Sequence, residues 1–505
     1  MSSPSKTLSR DGGARRVVMK FGGTSVADLD RIARVAEFVR LEADAGNAVV
    51  VVVSAMAGET NKLVDYVKKA GARGNSRVSD NLEYDAVVSS GEQVTSGLLA
   101  LTLQSLGYRA RSWQGWQIPL KTSEAHGKAR IVDIPEENLG PAIDSGEIAV
   151  IAGFQGIAPD GRVATLGRGG SDTTAVALAA ALGAERCDIY TDVDGVYTTD
   201  PRITQDARRL SRVSYEEMLE MASLGAKVLQ TRSVELAMAY RVKLRVLSSF
   251  ADPAEARNGA IHPCTVICDE DEIVEKHIVS GVTPSRSEAK ISLMTVPDEP
   301  GRAARIFNEL AKANINVDMI VQSPAKTGKA ANISFSLDET DLAKAQDLLS
   351  NLKDEIGYTD VVADRNVSKV SVIGVGMKSH AGVAATMFQT LAERGINILN
   401  ISTSEIKISV LSGQLTTRLF ETGEGYVAVH KVTPTGMARM LVDGEGRFRG
   451  MLSGGCLEGD LAMRARVAIE SGEAQFAEYD LTDNNDELWG MGVGCEGMIR
   501  VLLQP

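Results

Sequence analysis

Twelve residues, Pro300 to Ala311, return in altered form 81 positions later as Ala381 to Ala392. Gly301 answers to Gly382, Phe307 to Phe388, Leu310 to Leu391 and Asn316 to Asn397, all at that one offset. One offset held over so many positions means two copies of a single small unit. Each copy reads strand, helix, strand, strand. The strands are Ile291–Val296, Ile315–Gln322 and Ile333–Leu337 in the first copy, and Val370–Val375, Ile396–Thr403 and Ile408–Leu411 in the second. The first copy runs on into a further helix, Leu342–Glu355. The second changes character after Leu411.

Upstream the texture differs. From about Arg16 to Asp269, apolar runs alternate with amphipathic stretches: Val17–Phe21, a helix from Asp28 to about Asp44, Ala48–Ser54, then further pairs. Such alternation predicts an α/β domain with a doubly wound, mostly parallel sheet. Gly183–Asp188 separates a small-residue helix, Asp172–Leu182, from the strand Ile189–Thr191, with Gly183 where a helix end favours glycine. Downstream, Ser412–Pro505 is glycine-rich and resembles neither preceding part. A chain of 505 residues holds about three domains. The expected division is a disordered leader at 1–15, an α/β domain at 16–272, paired α+β units at 273–411 with the second truncated, and a foreign α+β segment at 412–505.

A formal charge of −12 gives no basic field to steer nucleic acid, so none is expected as a partner. The longest apolar stretch, near Ala48–Val53, is far too short to span a membrane. The leader lacks the apolar core of a signal peptide. Five cysteines fit a reducing cytoplasm rather than a disulfide scaffold. His262-Pro-Cys264-x-x-x-Cys268 lacks zinc-site spacing and alternates like a strand, with Cys264, Val266 and Cys268 on one face. No metal-ligating set is expected.

Three glycine-bearing clusters carry the chemistry. Lys20-Phe21-Gly22-Gly23-Thr24-Ser25 closes the first strand and opens the first helix, where free N–H groups favour an anion. Thr165–Ala175 joins Arg168, Gly169-Gly170, Ser171 and Asp172 ahead of a helix, and Tyr190–Arg202 follows a third strand. No G-x-x-x-x-G-K-S/T sequence occurs, so a nucleotide enzyme here is not a P-loop one.

These clusters resemble those of the aspartate kinases, within the amino-acid kinase superfamily. Ser54–Asn61, Ser90-Gly91-Glu92, Gly153–Gly156 and Gly225–Val228 extend the resemblance in family order, and the repeat is similar to paired ACT domains. The resemblance implies transfer of the γ-phosphoryl group of ATP, with Mg2+, to the side-chain carboxylate of L-aspartate. It implies catalytic roles for Lys20 and Asp172, and substrate contacts from Thr60, Glu92, Phe154, Arg168 and Ser171. Nucleotide contacts fall on Lys20, Phe21, Gly22, Gly23, Thr191, Asp192, Tyr197, Arg202 and Lys227. Lysine and/or threonine are the implied feedback effectors, bound near Asp318, Gln322, Asn397 and Ile398. A homo-oligomer or α2β2 assembly in the cytoplasm goes with them.

The same residues invite other readings. A catalytically dead amino-acid sensor would have lost Lys20, Arg168 or Asp172, and all three are present. Gly374-Val375-Gly376 hints at a dinucleotide turn, yet the next glycine, Gly382, comes too late, and a fused dehydrogenase is not supported. From Tyr426 the tail resembles the first domain of the xanthine dehydrogenase accessory family, at Gly436–Val442, Ser453–Asp460 and Gly490–Gly497. Cys456 is there a candidate reactive thiol, against a plain gene junction without activity. Because an aspartate kinase should add a helix and a strand after Leu411, their absence predicts uncovered apolar sheet and weakened feedback inhibition.

Overall fold

The structure, a computed structural model, describes residues 14–71, 81–135, 137–204, 206–226, 228–254, 263–273, 278–325, 328–380 and 382–413, with the backbone of short strands between 418 and 503. All but the last two residues of the expected leader, Lys227 and Cys456 lie outside the described residues.

Strands and helices alternate from the start: β1 (Arg16–Phe21), α1 (Leu29–Asp44), β2 (Ala48–Val53), α2 (Glu59–Gly71), α3 (Asn81–Val88), α4 (Ser90–Ser105) and β3 (Ala110–Trp113). After β4 (Lys121–Thr122), β5 (Ile131–Asp133) and α5 (Leu139–Asp144) come β6 (Ile148–Ala152), β7 (Gln155–Ile157), β8 (Val163–Thr165) and α6 (Gly170–Ala181). Then follow β9 (Arg186–Thr191), β10 (Arg212–Ser214), α7 (Tyr215–Ser223), α8 (Thr231–Tyr240), β11 (Leu244–Ser248) and β12 (Cys264–Cys268). Eight strands form one sheet in the order β10-β12-β11-β9-β1-β2-β6-β3. The six from β11 to β3 are parallel, and β12 turns antiparallel against β11.

Every residue of β2, Ala-Val-Val-Val-Val-Val, is buried, as a strand covered on both faces requires. Val50 and Val52 join one core layer while Val49, Val51 and Val53 join the other, so helices cover both faces. α1 starts where the Asp28 carboxylate accepts the Arg31 N–H, and buries Ile32, Val35, Ala36 and Val39 at helical spacing. The doubly wound reading holds. On β12 the inward positions are Thr265, Ile267 and Cys268, while Cys264 and Val266 are only half-buried. Of the Cys264, Val266 and Cys268 face only Cys268 is buried, and on the other face Thr265 accepts the Val196 N–H and donates to the Leu210 carbonyl.

The repeat produces one six-stranded antiparallel sheet in the order β14-β15-β13-β16-β18-β17. Its strands are β13 (Gly281–Pro297), β14 (Val317–Pro324), β15 (Ala330–Asp338), β16 (Asp360–Ile373), β17 (Ile398–Thr403) and β18 (Lys407–Gly413). Equivalent helices, Arg302–Lys312 and Val383–Glu393, begin after Gly301 and Gly382, at φ 93° and 106°. The first copy's second helix, expected over Leu342–Glu355, runs Leu342–Asn351 and resumes over Lys353–Ile356.

The nesting was not foreseen. The last part of β13 starts the first copy, but its beginning, Gly281–Ser285, pairs with Lys369–Ile373 of β16, and β18 takes the other side of that segment. So the strand expected to be missing after Leu411 is supplied from ahead of the first copy. Val370, Val372, Val410 and Leu411 are buried, which corrects the expected uncovered sheet. The tail is a separate unit in which Leu441–Val442 pairs with Phe448–Arg449 and Gln475–Asp480 with Met498–Leu503.

Candidate active site

The centre of the large sheet decides where a ligand fits. From β1 the chain proceeds outward to β2 on one side and returns to β9 on the other, and a crevice opens outside the carboxyl ends of strands at such a switch point. A cavity of about 280 Å³ lies there, lined from Lys20, Gly23, the Ser54–Gly58 turn, Thr60, Glu92, Phe154 and the Gly167–Asp172 segment.

Lys20 is the penultimate residue of β1, and its ammonium reaches 2.5 Å from the carboxylate of Asp172, in the first turn of α6. Both side chains are about nine-tenths buried. A buried charge needs a partner, and each provides the other's. Gly22 keeps this ammonium in place: a Cβ at position 22 would come within 3.3 Å of Lys20 Nζ. Gly169 is held at φ 71°, where its hydrogen leaves room for the side chain of Gln230. A Cβ there would overlap that side chain, so the loop that carries Arg168 is built around glycine. The first turn of α6 adds backbone N–H groups and a positive helix end to the cavity wall.

Glu92 sits in the first turn of α4, only 3% exposed. One oxygen accepts the Ala55 N–H at 3.0 Å and the other has no partner among the described residues. Burial raises its carboxyl to about 7, against the lowering effect of the Ala55 and Glu92 backbone N–H groups. A buried, half-satisfied carboxylate in a cavity wall is a place for a cation. Arg168, also in the lining, is exposed and has no ion pair among the described residues, which leaves its fork for an anion. Phe154 takes φ 68°, uncommon for a residue with a side chain. Its N–H donates to Thr174 Oγ1, its carbonyl accepts the Leu166 N–H, and its ring packs on Gly170.

The structure thus gathers Lys20, Gly23, Thr60, Glu92, Phe154, Arg168, Ser171 and Asp172 around one cavity. The other expected nucleotide residues that are described do not line it, although the Gly22–Gly23 turn does so through Gly23. Thr191, whose hydroxyl donates to Asp192, ends β9 beyond the lining. Tyr197 donates to Asp194, and Arg202 grips Asp200 in a two-residue fork. Phe21 stacks on Tyr190, with ring centroids 4.6 Å apart inside the core, so its ring is not open to a ligand. Its side chain is removed from the expected nucleotide contacts, because alternation along β1 sends Lys20 and Phe21 to opposite faces. Gln230 was missed. It belongs to a segment 61 residues from Gly169, and no local pattern joins the two.

In the six-stranded antiparallel sheet, Asp318 accepts from the buried Lys369 at 2.8 Å, and Lys369 also pairs with Glu288 at 2.7 Å. Burial pushes the Asp318 carboxyl up, but the Lys369 hydrogen bond and charge outweigh it and hold the group below its usual range. Gln322 donates to Asp298 at 3.3 Å and lines a second cavity of about 380 Å³ with the Val296–Ala303 segment. Asn397 and Ile398 belong to the other copy and do not line it. The β14 and β17 edges that carry the two pairs nevertheless lie against each other.

Comparison with known proteins places this geometry. The amino acid kinase family profile matches residues 15–248, ACT domain profiles match 291–357 and 370–412, and the XdhC and CoxI family matches 427–480. Over 396 residues, 78% of this chain and 93% of the relative, the sequence is 50% identical to an aspartate kinase of Pseudomonas putida. The chain belongs to the aspartate kinase family. An aspartokinase of Mycolicibacterium smegmatis is 48% identical over 91% of its length. Among solved structures, E. coli aspartokinase III in complex with aspartate and ADP superposes with a TM-score of 0.64 at 28% identity, covering 79% of this chain and 96% of that one. The Clostridium acetobutylicum aspartate kinase shares the fold, with a TM-score of 0.60 at 20% identity. The family's catalytic half is the doubly wound unit described above, and the nested sheet is its ACT half. No described helix is long and apolar enough to cross a membrane.

Proposed function

We propose that the cavity binds L-aspartate with its α-carboxylate on Arg168, its ammonium on Glu92 and its side-chain carboxylate directed at Lys20, and that the γ-phosphoryl group of ATP is transferred there to give 4-phospho-L-aspartate. The observation that carries this is the buried Lys20–Asp172 pair inside a cavity also walled by Arg168 and Glu92. A carboxylate is already a nucleophile and needs no general base. The protein must instead hold two anions together against their repulsion. Lys20 supplies a fixed positive charge at the meeting point, with Gly22, Gly23 and the α6 terminus supplying N–H groups. Asp172 orients Lys20, while Thr60 and Ser171 offer polar contacts and Phe154 walls the site. Thr191, Asp192, Tyr197, Arg202 and Lys227 are assigned to the nucleotide.

The family's use of ATP implies Mg2+. Among the described residues no group of three or more His, Cys, Asp or Glu side chains gathers to hold a metal, so phosphate oxygens and water are the fitting ligands. When bound, Mg2+ supplies neutralisation of phosphate charge. Residues 16–272 are assigned to catalysis and 273–411 to regulation, in a cytoplasmic oligomer inhibited by lysine and/or threonine. A solved complex of E. coli aspartokinase III with lysine and aspartate in a T-state supports lysine. The cavity beside Gln322 is the proposed effector site. Turnover measured by hydroxamate formation or coupled ADP release tests the kinase reading. An aspartate-dependent rate no higher than that of a Lys20→Ala control would sink it.

A further inference from the structure

Asp85, on α3, lies outside the cavity lining and is completely buried. Its carboxylate accepts from Thr165 Oγ1 at 2.5 Å, from the Gly127 N–H at 3.0 Å to each oxygen, and is bonded to His126 Nδ1 at 2.8 Å. The His126 carbonyl accepts from Asn81, and its Nε2 stands 4.0 Å from Asp160. All the acceptor capacity of a buried carboxylate is thus spent on two short stretches, 126–127 and Thr165. Those stretches support the Arg168 turn from both sides. Thr165 ends the strand that leads into it. The Gly127 carbonyl lies where a Cβ of Gly167 would come within 3.3 Å, so the two backbones are stacked without an intervening side chain. Arg168 is exposed and has no ion pair among the described residues, so its own backbone sets where its fork can reach.

We propose that Asp85 is a positioning residue for the substrate: by clamping the Gly127 peptide and Thr165 it sets the height of the Gly167–Gly170 turn and the reach of Arg168, with His126 locking the clamp. The proposal rests on the reading of Arg168 as the α-carboxylate ligand. It requires an effect on aspartate and not on ATP, which general loosening would not produce. Asp85→Asn and His126→Ala are each expected to raise KM for aspartate about tenfold and leave KM for ATP within about twofold, tenfold corresponding to ~1.4 kcal/mol. His126→Asn, whose amide N–H can stand in for the imidazole Nδ1–H, is expected to recover most of the loss. An unchanged KM for aspartate in both variants, or equal rises for both substrates, overturns the proposal. Should Asp85→Asn fail to fold, the two His126 variants, with melting curves matched to the parent, decide alone. An Arg168→Lys control separates the two claims. No rise there brings down the reading of Arg168, whereas a rise there with silent clamp variants brings down the clamp only.

Discussion

With aspartate's ammonium on Glu92, as proposed, binding should be a proton-coupled event. The Glu92 carboxyl is raised from 4.5 to about 7 by burial, and the proposed occupant of its open oxygen is the substrate ammonium. A shift of that size corresponds to roughly 3 kcal/mol. In the free protein near pH 6, about nine-tenths of Glu92 carries a proton, and near pH 8 about one-tenth does. The ammonium selects the ionised form, and the charges of free aspartate itself do not change between these values. Aspartate should therefore bind about tenfold more weakly near pH 6 than near pH 8, releasing close to one proton per molecule at the lower value. The sign is opposite for stability: the native group holds a proton that the unfolded one has lost, so this contribution is present below about 4.5 and disappears as pH rises through about 7. Calorimetric titration of aspartate without ATP, in two buffers of different ionisation enthalpy, reads both the affinity and the protons. Glu92→Gln should bind weakly at every pH and release none. Affinity that stays flat from about pH 6 to 8 in the parent, or an unchanged slope in Glu92→Gln, would refute the coupling.

Three further outcomes follow from other parts of the molecule. Gly169→Ala meets both the Gln230 side chain and a left-handed backbone, the latter alone costing about 1–2 kcal/mol, so kcat/KM should fall at least about tenfold with the melting temperature only modestly lowered. Asp188 is fully buried and held by Arg245 and Arg186, which also pair with Glu42; Asp188→Asn leaves Glu42 as their shared carboxylate and should destabilise by about 1.5–3 kcal/mol, read by urea unfolding. Because Gly281–Ser285 already fills the strand position beside β16, a chain ending at Gly413 should keep kinase turnover, and loss of that activity would show that the tail has a structural share in the enzyme.

Much of this was open to reading from residues alone. The strands β1 and β2, helix α1 and the two glycine-capped ACT helices follow from alternation, an aspartate cap and a fixed repeat, all local signals. Lys20 and Asp172 stood in motifs whose neighbours named their partners. Other contacts carried no such mark. Gln230 meets Gly169, and Asp85 meets Gly127, only through tertiary packing of segments whose own patterns say helix or turn. Phe21 shares a motif with Lys20, while the pleat turns its ring into the core, a division that the motif alone does not show. The nesting of β13 was hidden for a related reason: an offset of 81 reports which segments are alike, not which strand a given edge will choose.

That nesting makes the first ACT copy a guest within the second. Where the inserted copy begins and ends, Ser285 pairs with Lys369 and Glu288 with Val367, so entry and exit stand side by side on neighbouring strands. A cassette can be lifted out at such a gate and another of the same fold put in without parting the host's ends. The second copy has the opposite character. Its pieces come from both flanks of its guest, so a fragment cut at the boundaries of the repeat carries away a sheet with one strand left behind, its bare edge an invitation to pair with other chains. Exchange of effector specificity between relatives is therefore easiest for the guest, while the host must travel with the Gly281–Ser285 segment that supplies its first strand.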